Sequence, residues 1–232
     1  MPARKRPTSA ALAGRGAKRR NSEQIAGSAS PSADGGSRER ILTSALEIFS
    51  ERGFDGTTTR EIAACARVNL GLIKYYFDGK EKLWRAAVDR IFESLWSGIA
   101  RNVTPTLGDR RAIADLLREC VRFAAHNPAF VRLMNDEGKR DGPRLRWLVD
   151  RHGKRMFALV TALLESGRGA GLVPDVPAVH LYYSLLGSIG LIFSQAPECR
   201  RLTGKDPTAS EAMIEAHADA LVRIYLPDAA HA

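Results

Sequence analysis

Large apolar residues return every three or four positions over most of residues 38–227, and no stretch alternates convincingly at period two. That rhythm predicts helices and no strand. The first helix is expected over about Arg38 to Arg52, with Ile41, Ala45, Ile48 and Phe49 on one face and Gly53 as its stop. Thr58 and Glu61 have the spacing of a capping box, so a second, short helix should begin at Thr59 and turn Ile62, Ala63 and Ala66 inward. Arg67 and Val68 break the pattern. Asn69 is a good N-cap for a third helix, Leu70 to about Tyr76, which buries Leu70, Ile73 and Phe77 and turns Gly71, Lys74, Tyr75 and Tyr76 elsewhere. Asp78 with Glu81 forms a second capping-box pattern and restarts the chain as a long helix from about Lys80 to Arg101. Leu83, Trp84, Ala87, Val88, Ile91, Leu95 and Ile99 repeat along it, and at about 1.5 Å per residue it spans about 30 Å, enough to join two domains rigidly.

Further helices are expected over about Arg110 to His126, Pro128 to near Gly138, Pro143 to about Ser166 and Val176 to Gln195. A last one follows a third capping-box pattern at Thr208 and Glu211 and carries Met213, Ile214, His217, Leu221 and Ile224, making about nine. The helix from Val176 is apolar nearly all round, so it must be covered on several sides. Its Ser184, Gly187, Ser188 and Gly190 let another helix approach closely. Two readings stand: the central helix of one chain's bundle, or part of a contact between two copies. The predicted fold class is all-α. Residues 1–37 form a basic tail, 38–84 a three-helix helix-turn-helix unit, 85–227 a helical C-terminal domain and 228–232 a short tail.

Composition changes this picture little. Of 232 residues, 44% are hydrophobic and 26% charged, as in ordinary globular proteins. The net charge is +9, but residues 1–37 alone contribute +5, so the basic balance is not itself an argument for nucleic acid. That tail lacks large apolar residues and is expected to be disordered. Its clusters Arg4-Lys5-Arg6 and Lys18-Arg19-Arg20 suit either a phosphate- or minor-groove-binding arm or a solvated, solubilising tail. It has no apolar core of a secretory signal, and the longest apolar run, Leu181 to Phe193, is too short to span a membrane. A soluble, cytoplasmic protein is expected. Cys65, Cys120 and Cys199 show no paired spacing and fit a reducing compartment.

Two short helices joined by a tight turn, the second polar, aromatic and basic, suit insertion into a DNA major groove. Arg60 and Lys74 are the candidates for base edges, since such cations pair with guanine O6 and N7; Lys74 also suits a phosphate contact. Thr58 and Thr59, Tyr76 through its hydroxyl, and Lys80 at a helix start are candidate phosphate contacts. Asn69 and Leu70 sit at the groove-facing start of the third helix, and Gly71 allows close approach. Tyr75 has both a groove reading and a core reading.

The run Gly53-Phe54-x-x-Thr57-Thr58-x-x-x-Ile62-Ala63-x-x-Ala66-x-Val68-Asn69-x-Gly71-x-Ile73-x-Tyr75-Tyr76-Phe77-x-x-Lys80-Glu81-x-Leu83 resembles the N-terminal domain of TetR-family transcriptional regulators. The likeness covers roughly residues 38–90. It departs from the family at Arg67, where the turn usually carries glycine, and at Lys74, where tyrosine is usual. The resemblance implies a homodimeric repressor of an inverted-repeat operator, released when a small molecule fills the C-terminal domain. It also implies an aromatic or histidine backbone contact at Tyr76. The large side chains available to line such a pocket are Phe92, Trp96, Phe123, Met134, Trp147, Met156, Phe157, Tyr182 and Tyr183. A dimer contact made by the last two long helices would use Ser184, Gly187, Ser188, Leu191, Met213, His217 and Leu221. An alternative is a helical DNA-binding protein whose C-terminal half meets a protein partner and has no effector, with Arg140, Arg144, Arg146, Arg151 and Arg155 as a basic stretch for it.

No enzymatic reading fits. The histidines are scattered, and Gly167-x-Gly169-x-Gly171 follows a helix rather than a strand. No metal or cofactor is expected.

Overall fold

A computed structural model describes residues 31–104 and 106–227, and these are helix and connecting turns throughout. The basic clusters, the expected disorder of residues 1–30 and the tail 228–232 lie outside the described residues. In order the elements are α1 (Pro31–Arg52), α2 (Thr59–Cys65), α3 (Leu70–Phe77), α4 (Lys80–Asn102), α5 (Arg110–His126), α6 (Pro128–Glu137), α7 (Pro143–Leu148), a π turn (Val149–Gly153), α8 (Lys154–Gly169), α9 (Ala178–Ser194), α10 (Ala196–Thr203) and α11 (Glu211–Tyr225). α7, the π turn and α8 follow one another without a break.

The first three helices close around one apolar cluster. Ile41, Leu42, Ala45 and Phe49 of α1 are fully buried against Ile62 and Ala63 of α2, Ile73 and Phe77 of α3, and Leu83, Trp84 and Val88 of α4. α4 thus begins inside the N-terminal head and continues into the C-terminal half. There α5 packs against α4, α9 and α11, α8 lies along α9, and α6 reaches back to pack on α1. Ion pairs pin α5 to α11: Arg118 with Asp219 at 3.1 Å, and Arg122 with Glu215 at 2.5 Å. Arg110 donates to the carbonyls of Leu226 and Pro227, closing the bundle.

Several expectations are corrected. α1 starts at Pro31 rather than Arg38, so residues 31–37 belong to a helix; proline's fixed φ suits a first helical position. Asp78 is not a cap. It ends α3 at φ +56°, and Gly79 at φ +144° caps α4 instead, because two successive positive-φ residues are used to reverse the chain. The Asp78 carboxylate is held between Lys74 at 2.6 Å and Lys82 at 3.0 Å, which push its pKa down to about 2. The cap of α11 is Ser210, whose hydroxyl accepts from Met213 N, while Thr208 turns its hydroxyl to Asp206. α10 was not expected. Pro197, in its first turn, favours a fresh helix start just where the preceding one stops at Ser194.

Candidate nucleic-acid interface

The reading unit is built by local hydrogen bonds. Thr58 Oγ1 accepts from Glu61 N at 3.2 Å, and Glu61 Oε2 accepts from Thr58 N at 2.9 Å, the reciprocal box that starts α2. Arg52 braces the same carboxylate at 2.5 Å, and these contacts together hold the Glu61 pKa below its ordinary value, the backbone N–H of Thr58 contributing most. Asn69 Oδ1 accepts from Gly71 N at 2.7 Å and starts α3. A side chain at Gly71 would have its Cβ 3.1 Å from that same oxygen, so the glycine protects the cap.

Most of the sequence-chosen residues are accessible from solvent. Thr58, Arg60, Asn69, Leu70, Gly71, Lys74 and Tyr75 are exposed, and Thr59 and Tyr76 are half-buried. Tyr75 is 74% exposed, which decides against its core reading; its ring lies edge-on to Tyr76, with centroids 5.1 Å apart. Leu70 is 42% exposed and therefore does not join Ile73 and Phe77 in the core; half-buried Leu72 packs there instead.

Lys80 departs from expectation. Its ammonium donates to the carbonyls of Phe54 and Thr57, both at 2.8 Å, and lies 4.3 Å from the Phe54 ring centroid. Two of its three hydrogens are committed inside the head, because the first residue of α4 packs against the α1–α2 turn. It ties the head together, with one hydrogen left for another acceptor. Arg67 is exposed at φ +53° between α2 and α3. The missing glycine of the resemblance was the signal for it. It lines an open groove with Gly36, Glu39, Arg40, Thr43, Ser44, Cys65 and Ala66.

In the C-terminal half the nine expected pocket residues divide. Phe92, Phe123 and Trp147 join a run of touching rings through Phe130 and His152, with Phe92 stacked on His152 at 4.1 Å. Phe157, Tyr182 and Tyr183 form a second group, and Trp96 takes the Arg155 guanidinium 3.9 Å from its centroid. Met134 and Met156 pack against the core. Tyr183 is 67% exposed and belongs to a different place: with Ser184, Gly187, Ser188, Leu191, Cys199 and Leu202 it lines an open groove of about 590 Å3 on α9 and α10. Among the residues chosen for a dimer contact, Leu221 is corrected to the chain's own core. Its side chain points into the bundle, and Ile224 is the exposed apolar residue of α11. His217 Nε2 lies 2.9 Å from the Ser188 carbonyl, and Met213 is half-buried.

Three arginines of the basic stretch are paired with carboxylates of the chain, and a fourth lies on a ring. Arg144 pairs with Glu137, Arg146 with Asp141 and Arg151 with Asp89, and Arg155 lies on Trp96. No group of His, Cys, Asp and Glu suited to a metal ion occurs among the described residues, and none of their helices is long and apolar enough to cross a membrane.

A capped short helix, a tight turn and a second short helix presenting tyrosine and lysine to solvent define a helix-turn-helix DNA-binding protein. Comparison with known proteins narrows this. Residues 41–87 match the model of the TetR family of bacterial regulatory proteins, and residues 110–224 match a tetracycline-repressor-like C-terminal domain. The chain belongs to the TetR family and is a DNA-binding transcriptional regulator. It is 26% identical over 159 residues to the transcriptional repressor NicS of Pseudomonas putida, covering 66% of this chain and 73% of that one. It is 26% identical over 167 residues to the transcriptional regulator RutR of Escherichia coli, covering 72% and 78%. Among solved structures it resembles a TetR-family regulatory protein from Rhodococcus RHA1, with TM-score 0.62 at 21% identity, covering 83% of this chain and 98% of that one. It also resembles AibR in complex with isovaleryl coenzyme A and operator DNA, with TM-score 0.60 at 18% identity, covering 82% and 98%.

Proposed function

We propose that this regulator is a dimeric repressor that reads an inverted-repeat operator and leaves it when a small molecule enters the C-terminal half. The observation that carries the reading is the surface of α2 and α3. Arg60, Lys74 and Tyr75 are exposed together on a unit whose starts are fixed by two hydrogen-bonded caps. Arg60 and Lys74 read base edges; Thr58, Thr59, Asn69 and Tyr76 position the head on the backbone. One such head covers few base pairs, so specific affinity calls for two heads about one helical turn, ~34–36 Å, apart. The exposed apolar residues Tyr183, Leu186 and Leu191 of α9, Leu202 of α10 and Ile224 of α11 supply a self-complementary face for pairing. Pairing of Arg144, Arg146 and Arg151 with carboxylates lowers the net charge of the basic stretch and so weakens the protein-partner reading.

The test is selection of binding sites from random duplex DNA, with Arg60→Ala and Lys74→Ala alongside the wild type. We expect an enriched inverted repeat, each variant relaxing one position per half-site and weakening binding by about 1–3 kcal/mol. Salt-sensitive binding with no enriched motif would overturn the reading.

A further inference from the structure

Besides the packing of α6 on α1 and of Trp147 of α7 edge-on to Trp84 of α4, with centroids 5.5 Å apart, the regulatory half meets the reading head at the ring of Phe54. This residue sits in the turn between α1 and α2, stacked on Phe49 with centroids 5.7 Å apart. Lys80, the first residue of α4, places its ammonium 4.3 Å from the Phe54 centroid. Arg144, in the first turn of α7, places its guanidinium 4.1 Å from the same centroid. Two cations drawn to one ring repel each other unless each is compensated locally. Here both are. The carbonyls of Phe54 and Thr57 take the Lys80 hydrogens, and Glu137 at the end of α6 accepts from Arg144 Nε at 2.9 Å. The Arg144 and Glu137 side chains are only 26% and 11% exposed, so solvent screens this pair little.

We propose that Arg144, oriented by Glu137, is a positioning residue that sets the orientation of the reading head by bearing on Phe54. The inference rests on the reading of the chain as a two-headed DNA reader. The contacts run from α6 through Glu137 to Arg144, and from there to the Phe54 ring. The Phe54 carbonyl is tied to Lys80, as is that of Thr57. Thr57 is buried, with its hydroxyl on the Gly53 carbonyl at 2.7 Å, and it immediately precedes Thr58, the cap of α2. Displacing the α6–α7 junction therefore moves the ring, and the ring moves the start of the reading unit. α4 grips the same turn through Lys80. The turn thus feels the difference in position between α4 and α7, which is the quantity a filled or empty C-terminal half would change. Were the Glu137–Arg144 pair only a stabilising bond, its loss could loosen the neighbouring α2 but would leave the spacing preference of the two heads untouched.

The experiment uses the full chain as wild type, Arg144→Ala, Arg144→Lys and Phe54→Leu, with far-ultraviolet circular dichroism confirming the helical fold. Backbone hydrogen exchange is followed without DNA, and binding is measured to half-site pairs whose spacing changes one base pair at a time. In Arg144→Ala and Phe54→Leu, amides of α2 should exchange about tenfold faster while those of α5 and α11 keep wild-type rates. The spacing preference should flatten with base preference inside each half-site unchanged, and Arg144→Lys, which keeps the cation, should stay near wild type in both. Unaltered α2 exchange, or acceleration shared equally by all helices, overturns the proposal, as does a retained spacing preference. If the wild type shows no spacing preference, the two-headed reading fails. Exchange then decides the contact alone: local loosening of α2 supports it and its absence overturns it.

Discussion

Arg67 holds a left-handed backbone at φ +53° in the turn ahead of the recognition helix, a conformation in which an L side chain crowds the following carbonyl. Two backbone hydrogen bonds fix it there: Arg67 N donates to Ala64 O at 3.1 Å and Val68 N to Ala63 O at 3.0 Å. The turn, not the residue, dictates the conformation. Arg67→Gly should therefore raise unfolding free energy by about 1 kcal/mol, seen as a higher urea midpoint with unchanged slope. The same change removes an exposed guanidinium lying two residues before the Asn69 cap. Operator binding should accordingly lose about one unit of salt dependence as a phosphate contact disappears. A gain in stability paired with a loss in binding identifies strain kept for contact; a gain in both assigns Arg67 no role at the DNA.

At the scale of elements, the head was readable because its signals are local. The Thr58–Glu61 box and the Asn69 cap act over two or three residues, and both stand in the structure where the sequence put them. The false boxes at Asp78 and Thr208 have the same spacing. They fail because each side chain finds a stronger partner: two lysines for Asp78 and a carboxylate for Thr208. What spacing cannot carry is contact between distant segments, such as Lys80 turned back onto the Phe54 carbonyl or Leu221 turned into the bundle. The π turn is a case in point, since an apolar rhythm does not reveal one widened turn. That turn carries His152, buried, with Nε2 2.8 Å from Asp89 Oδ1 of α4 and its ring on Phe92. Burial, outweighing the pull of Asp89, holds its pKa below the ordinary 6.5. As pH falls the unfolded chain takes up this proton before the folded one, so stability present above about 6.5 is lost as pH drops through the lower folded value. His126 has the opposite sign. Glu211 raises its pKa, so its contribution is present below the unfolded value and lost as pH rises through the raised one. Urea unfolding between pH 5 and 8 should show His152→Gln flattening the acid-side decline and His126→Gln steepening it. Parallel profiles for all three proteins would remove both assignments.

For the whole molecule, the proposed pairing through the exposed apolar residues of α9, α10 and α11 would set how many heads meet the DNA. Leu191 is half exposed and lines the groove of α9 and α10 together with Gly187, Ser188, Cys199 and Leu202. The small residues there leave room for another helix, and Tyr225 ties the face down from behind by sharing its hydroxyl with Ser184 and Ser188, each at 2.7 Å. Leu191→Glu places a charge where two copies would meet, and two such charges related by a twofold axis face one another. The side chain already lies in solvent in the single chain, so its own fold should be little disturbed. Sedimentation should show a dimer for wild type and a monomer for the variant at the same concentration, with equal helical content. Binding should then separate into its parts. Affinity for a single half-site should match wild type, since Arg60, Lys74 and Tyr75 lie in the other domain. Affinity for the full inverted repeat should fall by about 10²–10⁴-fold, the advantage that linking two sites confers. A Leu191→Glu chain that stays dimeric would move the pairing surface away from α9, and one that becomes monomeric yet keeps full-operator affinity would show that a single head suffices.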